Sequence, residues 1–349
     1  MVASGSNDKI LIRERAGVPQ AYAAYEQTHV NLADERLGAK VVAASDEWYA
    51  PAQRLLDPAQ PNYYYHDDEG MRYVDGWETS RRRAAGHEWC VIGLGRPGEL
   101  AAVGIDTRFF TGNYPLAVSI EGCALDGGAP LEEAVWRPLL PITPAAGDTP
   151  ALHPLERTGR ITHIRLNMHP DGGMARLRVF GKIDGDGTLA QGELADLAAL
   201  ENGACVLGCS DSHFGSVNAL IAPGPSVAWG KGWESRRKRT PGHDWAVIAL
   251  ATPGRIEQAL VDTKYYTGNF PAGFSLQGAC AADVPPALIL NEAMHWPELL
   301  DRQALQGGSE HLVPLPAHAQ RIVTHVRLNI YPDGGVTRLR LFGRPARGA

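Results

Sequence analysis

Cysteine is scarce. There are five in 349 residues, an odd number, at Cys90, Cys123, Cys205, Cys209 and Cys280 with no repeated spacing. That excludes a disulfide scaffold and points to free thiols in a reducing cytoplasm. Cys205 and Cys209 lack a second Cys/His pair at zinc-ribbon spacing. No apolar run nears the ~18 residues of a membrane-spanning helix. The opening MVASGSNDKILIRERAG lacks the charged-then-apolar layout of a secretion signal, so the expected compartment is the cytoplasm. A basic excess is also missing: 33 Lys and Arg stand against 39 Asp and Glu, a net charge of −6. A long phosphate backbone is therefore not an expected partner, and neither is a membrane. Long helical periodicity is absent. So are the phosphate-cradling glycine loop ending in lysine, the nucleophile elbow and H-E-x-x-H. GLGRPGEL from Gly93 has glycines but opens no helix, which sets aside a dinucleotide role.

Turn formers are plentiful, with 39 Gly and 25 Pro. They favour many short strands. The chain is also written twice. GWETSRRRAAGHEW from Gly76 returns as GWESRRKRTPGHDW from Gly232, with eight of fourteen letters identical. DTRFFTGNYP from Asp106 returns as DTKYYTGNFP from Asp262. THIRLNMHPDGGMARLRVFG from Thr162 returns as THVRLNIYPDGGVTRLRLFG from Thr324, with fourteen of twenty identical. ASDEWYAPAQRLL from Ala44 pairs more loosely with CSDSHFGSVNALI from Cys209. Copies of about 150 residues are too long for solenoid units, and each can bury its own core. The expected layout is an N-terminal extension over 1–29, a first repeat over 30–181, a Gly/Asp-rich linker over 182–194 and a second repeat over 195–349. PQAYAAYEQ, from Pro19 to Gln27, reads as a short helix entered at proline.

Inside each copy the period is two. Ile164, Leu166 and Met168 alternate with His163, Arg165 and Asn167, and Val326, Leu328 and Ile330 alternate with His325, Arg327 and Asn329. One strand face is thus apolar and the other polar. PDGG follows each time and reads as a tight hairpin. In the expected return strand Leu177 and Val179 alternate with Arg176, Arg178 and Phe180. WCVIGLG from Trp89 reads as a central strand. The fold class is all-β, two tandem antiparallel sandwiches with loops gathered at their ends.

Several polar groups recur in both copies. Trp77 and Trp233 suit an apolar wall against a ligand, or else a cap on the sandwich. Arg81 with Arg83, and Arg237 with Arg239, suit a bidentate grip on a carboxylate, or else a solvated charge network. Glu78 and Glu234 can polarise water or orient an arginine. His87 and His243 suit proton transfer near neutral pH, or a turn-capping bond at a strand start. Asp106 and Asp262 stand where a strand gives way to a loop. Asn113 and Asn269 carry amides that match an amide or ureido group, or serve as turn residues. The rows His163/Arg165 and His325/Arg327 read as a concave site or the polar half of a subunit interface.

Taken together, these blocks resemble the allantoicase family, over nearly the whole chain and in the same order in both copies. The resemblance implies two jelly-roll domains of the galactose-binding-like type. It also implies a hydrolase that splits allantoate with water into (S)-ureidoglycolate and urea, within allantoin degradation and purine nitrogen salvage. That chemistry asks for a cation on the carboxylate, an acid for the departing urea and a base for water. The arginine pairs are assigned to the first task, the histidines to acid/base work, and Glu78, Glu234, Asp106 and Asp262 to water; Asn113 and Asn269 take the ureido groups. These roles come from the chemistry and are not fixed by the resemblance. No ligand spacing demands a metal, and a divalent ion stays open. The copies differ: Asp75 becomes Lys231, Trp48-Tyr49 becomes His213-Phe214, and His169 becomes Tyr331. The active copy is left open. A homo-oligomer is expected. The alternative function is a non-catalytic tandem carbohydrate-binding module.

Overall fold

A computed structural model of the chain describes residues 10–15, 17, 19–26, 29–66, 72–125, 129–184, 189–190, 192–225, 232–281, 284–319 and 321–346. Lys231 and part of the expected linker lie outside the described residues. The chain divides into two compact units, one of 1–23 with 31–182, the other of 24–30 with 183–349.

The first unit comprises β1 (Ile10–Arg15), α1 (Gln20–Glu26), β2 (Val30–Asn31), β3 (Lys40–Ala44), β4 (Asn62–His66), β5 (Arg72–Val74), β6 (Trp77–Glu78), β7 (Glu88–Asp106), β8 (Ala117–Cys123), β9 (Arg137–Pro144), β10 (Pro150–Pro154), β11 (Arg160–His169), β12 (Gly173–Met174) and β13 (Arg176–Ile183). The second repeats the plan with β14 (Ala195–Asp196), β15 (Cys205–Cys209), β16 (Trp233–Glu234), β17 (Asp244–Asp262), β18 (Gly273–Ala279), α2 (Pro286–Glu292), β19 (Glu298–Ala304), β20 (Glu310–Pro314), β21 (Ile322–Tyr331), β22 (Gly335–Val336) and β23 (Arg338–Pro345). Both units are all-β sandwiches, as the period-two pattern predicts. The helix expected after Pro19 is α1, and its Tyr22 packs edge-on against Phe180 at 5.8 Å between ring centroids.

One strand organises each sandwich. The first half of β7 pairs with β3 and β11, through Trp89–Gly93. Its second half pairs with β10, through Ala102–Asp106, and lies beside β13. The strand therefore runs from one layer into the other. The register breaks between Ile161 and His163 of β11, opposite Arg96-Pro97-Gly98. β17 breaks register in the same way at Pro253-Gly254. Proline has no N–H to pair and is confined to such irregular points. A Cβ on Gly98 would sit 2.3 Å from the Lys182 carbonyl oxygen, so only glycine fits this close approach. The GLGRPGEL segment is thus the layer crossing.

The hairpin reading of PDGG is corrected by the topology. β13 pairs with β7 and β2, not with β11, and β12 pairs with β6. PDGG carries the chain out of one layer and into the other. Gly172, at φ +145°, supplies the backbone that other residues resist. Arg176 and Arg178, which alternate with Leu177 and Val179, are buried as well. Arg176 donates to the Ala59 and Asp75 carbonyls and to Asp75 Oδ2, at 2.9, 2.9 and 2.7 Å. Arg178 donates to the Pro58 and Ala59 carbonyls. Burial and the neighbouring Arg176 charge lower the Arg178 pKa. The pair ties the 57–60 loop over the sheet, and Arg338 and Arg340 do the same with the Ala219, Ala222 and Gly224 carbonyls.

A second departure is α2, a seven-residue helix that begins after Pro285 and was not among the expected elements. Its Ile289, with Ala293 and Trp296, packs on Leu207, Val247 and Ala281, closing an outer sheet face of the second unit. All five cysteines are free thiols. No helix among the described residues is long and apolar enough to cross a membrane.

The PDGG crossing is open to test. A Cβ on Gly173 would lie 1.9 Å from Phe110 Cε1, whereas one on Gly112 would meet nothing within 4 Å. Gly173→Ala is expected to destabilise the first unit by about 1–3 kcal/mol in urea unfolding, with Gly112→Ala within about 0.5 kcal/mol of the unaltered chain.

Candidate active site

The repeated WE dipeptide is a two-residue strand, and alternation decides its chemistry. Trp77 points inward and is fully buried, its Nε1 donating to the Asp46 carbonyl at 2.8 Å. Trp233 does the same to Asp211, also at 2.8 Å. The expectation that these indoles wall a ligand site is therefore corrected, since neither is open to solvent. Glu78 takes the opposite face and is half-buried. Its backbone exchanges hydrogen bonds with Ala50, which docks the Trp48–Ala50 loop beside it. Asn113 Nδ2 donates to Glu78 Oε1 at 2.7 Å, and Asn269 donates to Glu234 Oε1 at 2.5 Å. The Asn113 carbonyl in turn accepts from Gly173 N at 2.6 Å.

The arginine loop that follows sorts its cations by position. Arg82 turns inward, its Nη1 2.6 Å from Glu88 Oε1, a buried carboxylate at the start of β7. Lys238 pairs with Asp244 at 2.9 Å. The loop backbone is held by the PDGG aspartate: Arg82 N donates to Asp171 Oδ2 and Lys238 N to Asp333 Oδ2, both at 2.8 Å. Arg81 and Arg83, and likewise Arg237 and Arg239, are left exposed, and none has an ion-pair partner among the described residues. In the first unit these parts border one hollow of about 490 Å³, lined by Glu78, Asn113, Arg81, Arg83, Tyr49 and Tyr114 among others. That volume lies within the usual range for small-molecule sites. The loop of the second unit borders a hollow of about 310 Å³ beside Ser210, Asp211 and Asp244, which neither Glu234 nor Asn269 lines.

Several expected site residues lie elsewhere. Asp106 is 1% exposed and its carboxylate is forked by Arg108 through Nε at 2.9 and 3.0 Å. Asp262 is equally closed and accepts from Lys264 N; burial raises its pKa. Both assignments to water are corrected on that ground. His87 and His243 do not line the hollows. Their Nε2 atoms lie 3.2 and 3.0 Å from Asn167 Oδ1 and Asn329 Oδ1. Burial lowers the His243 pKa, with Arg327 and Lys238 adding to it against the Asn329 bond, so its ring is held toward the neutral form.

The His163/Arg165 row is a sheet-face network apart from the hollow. His163 Nδ1 meets Thr162 Oγ1 at 2.9 Å, and Arg165 Nη2 meets Glu121 Oε2 at 2.6 Å while its guanidinium lies over Trp136. In the second unit His325 and Arg327 are buried, with Trp296 beside His325. They cannot form the open concave site expected from the sequence. Among the described residues no three His, Cys, Asp or Glu side chains stand close enough to share a metal ion. The chemistry considered below is derived from side chains. Sequence reasoning missed Tyr49, Tyr114 and the Arg82–Glu88 pair. For the tyrosines the available signal was their loss in the second copy, at Phe214 and Phe270.

Comparison with known proteins places this arrangement. The family model for the Allantoicase repeat matches residues 30–184 and again 195–346. The chain belongs to the allantoicase family. It is 47% identical over 327 residues to "Probable allantoicase 2" of Burkholderia pseudomallei (strain K96243), covering 93% of this chain and 97% of the relative. It is 48% identical over 320 residues to "Probable allantoicase" of Pseudomonas aeruginosa (strain UCBPP-PA14), covering 91% and 96%. The crystal structure of allantoicase from Saccharomyces cerevisiae superposes with a TM-score of 0.76 at 33% identity, covering 95% of this chain and all of that one.

The buried histidine supplies a pH test. Burial pulls the His325 pKa from its ordinary 6.5 down to about 4. The unfolded chain therefore binds the proton first. The stability is fully present above about pH 6.5 and is lost as pH falls toward 4. His325→Gln is expected to give a shallower decline of unfolding free energy across that window than the unaltered chain shows.

Proposed function

We propose that this chain is an allantoicase that hydrolyses allantoate to (S)-ureidoglycolate and urea at the hollow between the arginine loop and the Asn113 loop. The observation that carries the reading is the bonded Glu78–Asn113 pair flanked by two exposed, unpaired guanidiniums, in a chain of this family. Allantoate has one carboxylate and two ureido groups on a single carbon. Arg81 and Arg83 grip the carboxylate, as planar donors suited to it. Asn113 fixes Glu78 through Oε1 and leaves Oε2 for water. Glu78 takes a proton from that water, whose oxygen bonds to the glycolate carbon while the bond from that carbon to one ureido nitrogen breaks. The nitrogen gains a proton and leaves as urea, so one water is consumed in total.

The finer expectations are a cytoplasmic location, supported by five free thiols, and a homo-oligomer, supported by exposed apolar side chains such as Leu116, Val135 and Ile142. A non-catalytic carbohydrate-binding role is the alternative, and a glycan-binding screen run beside the urea assay separates the two.

The test is urea release from allantoate by the purified chain. Glu78→Gln is expected to lower kcat about 10²–10⁴-fold. Arg81→Ala with Arg83→Ala is expected to raise KM about tenfold to a hundredfold, the worth of a lost charge-assisted contact. Unchanged kinetics in these variants would remove the site.

A further inference from the structure

The two copies keep the same scaffold. Trp77 and Trp233 donate to the same loop carbonyl, and Asn113 and Asn269 to the same carboxylate oxygen. The residue after the loop's Trp48 or His213 is docked identically: Tyr49 N donates to the Glu78 carbonyl at 3.2 Å, and Phe214 N to the Glu234 carbonyl at 3.1 Å. The aromatic after the asparagine is Tyr114 in one copy and Phe270 in the other. Backbone and charge framework thus persist, while two tyrosines lining the hollow that Glu78 also lines are replaced by phenylalanine in the other copy.

Four further differences run the same way. Glu78 and Asn113 both line a hollow, whereas the one bordered by the second arginine loop is lined by neither Glu234 nor Asn269. Glu234 is buried where Glu78 is half-open. In the second copy a hydroxyl has moved to the inside: Tyr266 stands where the first copy has Phe110 and is buried, and burial with the Glu234 charge pushes its pKa up to about 12. Finally, Ser80, which donates to Asp46 at 2.7 Å, is replaced by Arg236, which grips Asp211 at 3.0 Å.

We propose that the first repeat alone carries the hydrolytic site, and that Tyr49 and Tyr114 are its copy-specific catalytic contacts, donating their hydroxyl hydrogens to the substrate's ureido groups. This rests on the reading of function above. The substrate presents two ureido carbonyls and a departing nitrogen in addition to the carboxylate. The arginines satisfy the carboxylate in either copy, but a phenyl ring donates nothing to the rest. Binding a polar substrate against phenylalanine leaves its carbonyls desolvated and unpaired, which is costly. Tyr49 is 66% exposed beside the Glu78 strand, Tyr114 directly follows Asn113 with its ring over Gly147, and both line the hollow. One of the two hydroxyls passes its proton to the departing ureido nitrogen. The proton that water gave to Glu78 then restores the phenol through solvent, so the reaction closes with no co-reactant.

The test uses the full chain with Tyr49→Phe, Tyr114→Phe and the double variant, assayed for urea release from allantoate, with thermal unfolding as the control for fold. Phenylalanine keeps the ring, so unfolding midpoints are expected to match the unaltered chain. Each single variant is expected to lose about tenfold or more in kcat/KM, and the double variant about a hundredfold or more. If the second copy did the work, the double variant would be unaffected; if both shared it, the loss would stop near twofold. A double variant retaining more than a tenth of the original kcat/KM overturns the proposal and leaves the family reading intact. An unaltered chain that releases no urea overturns the reading of function itself.

Discussion

A buried indole holds the candidate site in place. Trp77 reaches a main-chain carbonyl on the Asp46 loop from inside the sandwich, and because it goes in, its neighbour Glu78 must come out. The same hydrogen bond ties down the loop that brings Tyr49 alongside. A carboxylate that must act on one water needs a fixed position, and here that fixity comes from apolar burial on the far side of a two-residue strand. The repeated tryptophan is explained by this anchoring, and a ligand contact is not needed to account for it.

The arginine loop shows a related division of labour. Its middle cation is drawn to the buried acid that starts the long strand, and its backbone is fastened to the aspartate of PDGG. The two flanking guanidiniums are left exposed, with no ion-pair partner among the described residues. A buried ion pair is an uncertain source of stability, but here it sets the orientation of its neighbours. The loop thereby presents concentrated positive charge at one rim of an acidic protein, a local field suited to a small anion.

Much of the fold was legible because period-two alternation is a direct consequence of strand geometry, and duplication printed it twice. The candidate residues were legible less evenly. Glu78, Asn113, Arg81 and Arg83 meet in one hollow, whereas His87 and the His163/Arg165 row belong to a separate face. Repetition cannot separate groups kept for chemistry from groups kept for packing: Trp77, Asp106 and Arg176 recur as faithfully as Glu78. Burial separates them, and burial depends on partners distant in sequence, such as the 57–60 loop over Arg176. The PDGG crossing was illegible for a similar reason, since a turn sequence fixes local backbone but not the strand that receives the chain afterwards. The short α2 opens at proline as α1 does, but no α-helix among the described residues of the first copy repeats it, so duplication gave it no support.

The strand shared between layers has a consequence for how each half of the molecule assembles. A slip of one residue along Glu88–Asp106 would invert inward and outward side chains in both layers at once. Correct pairing on either side of the crossing is thus a condition on one shared strand, which couples the assembly of the two layers of each sandwich.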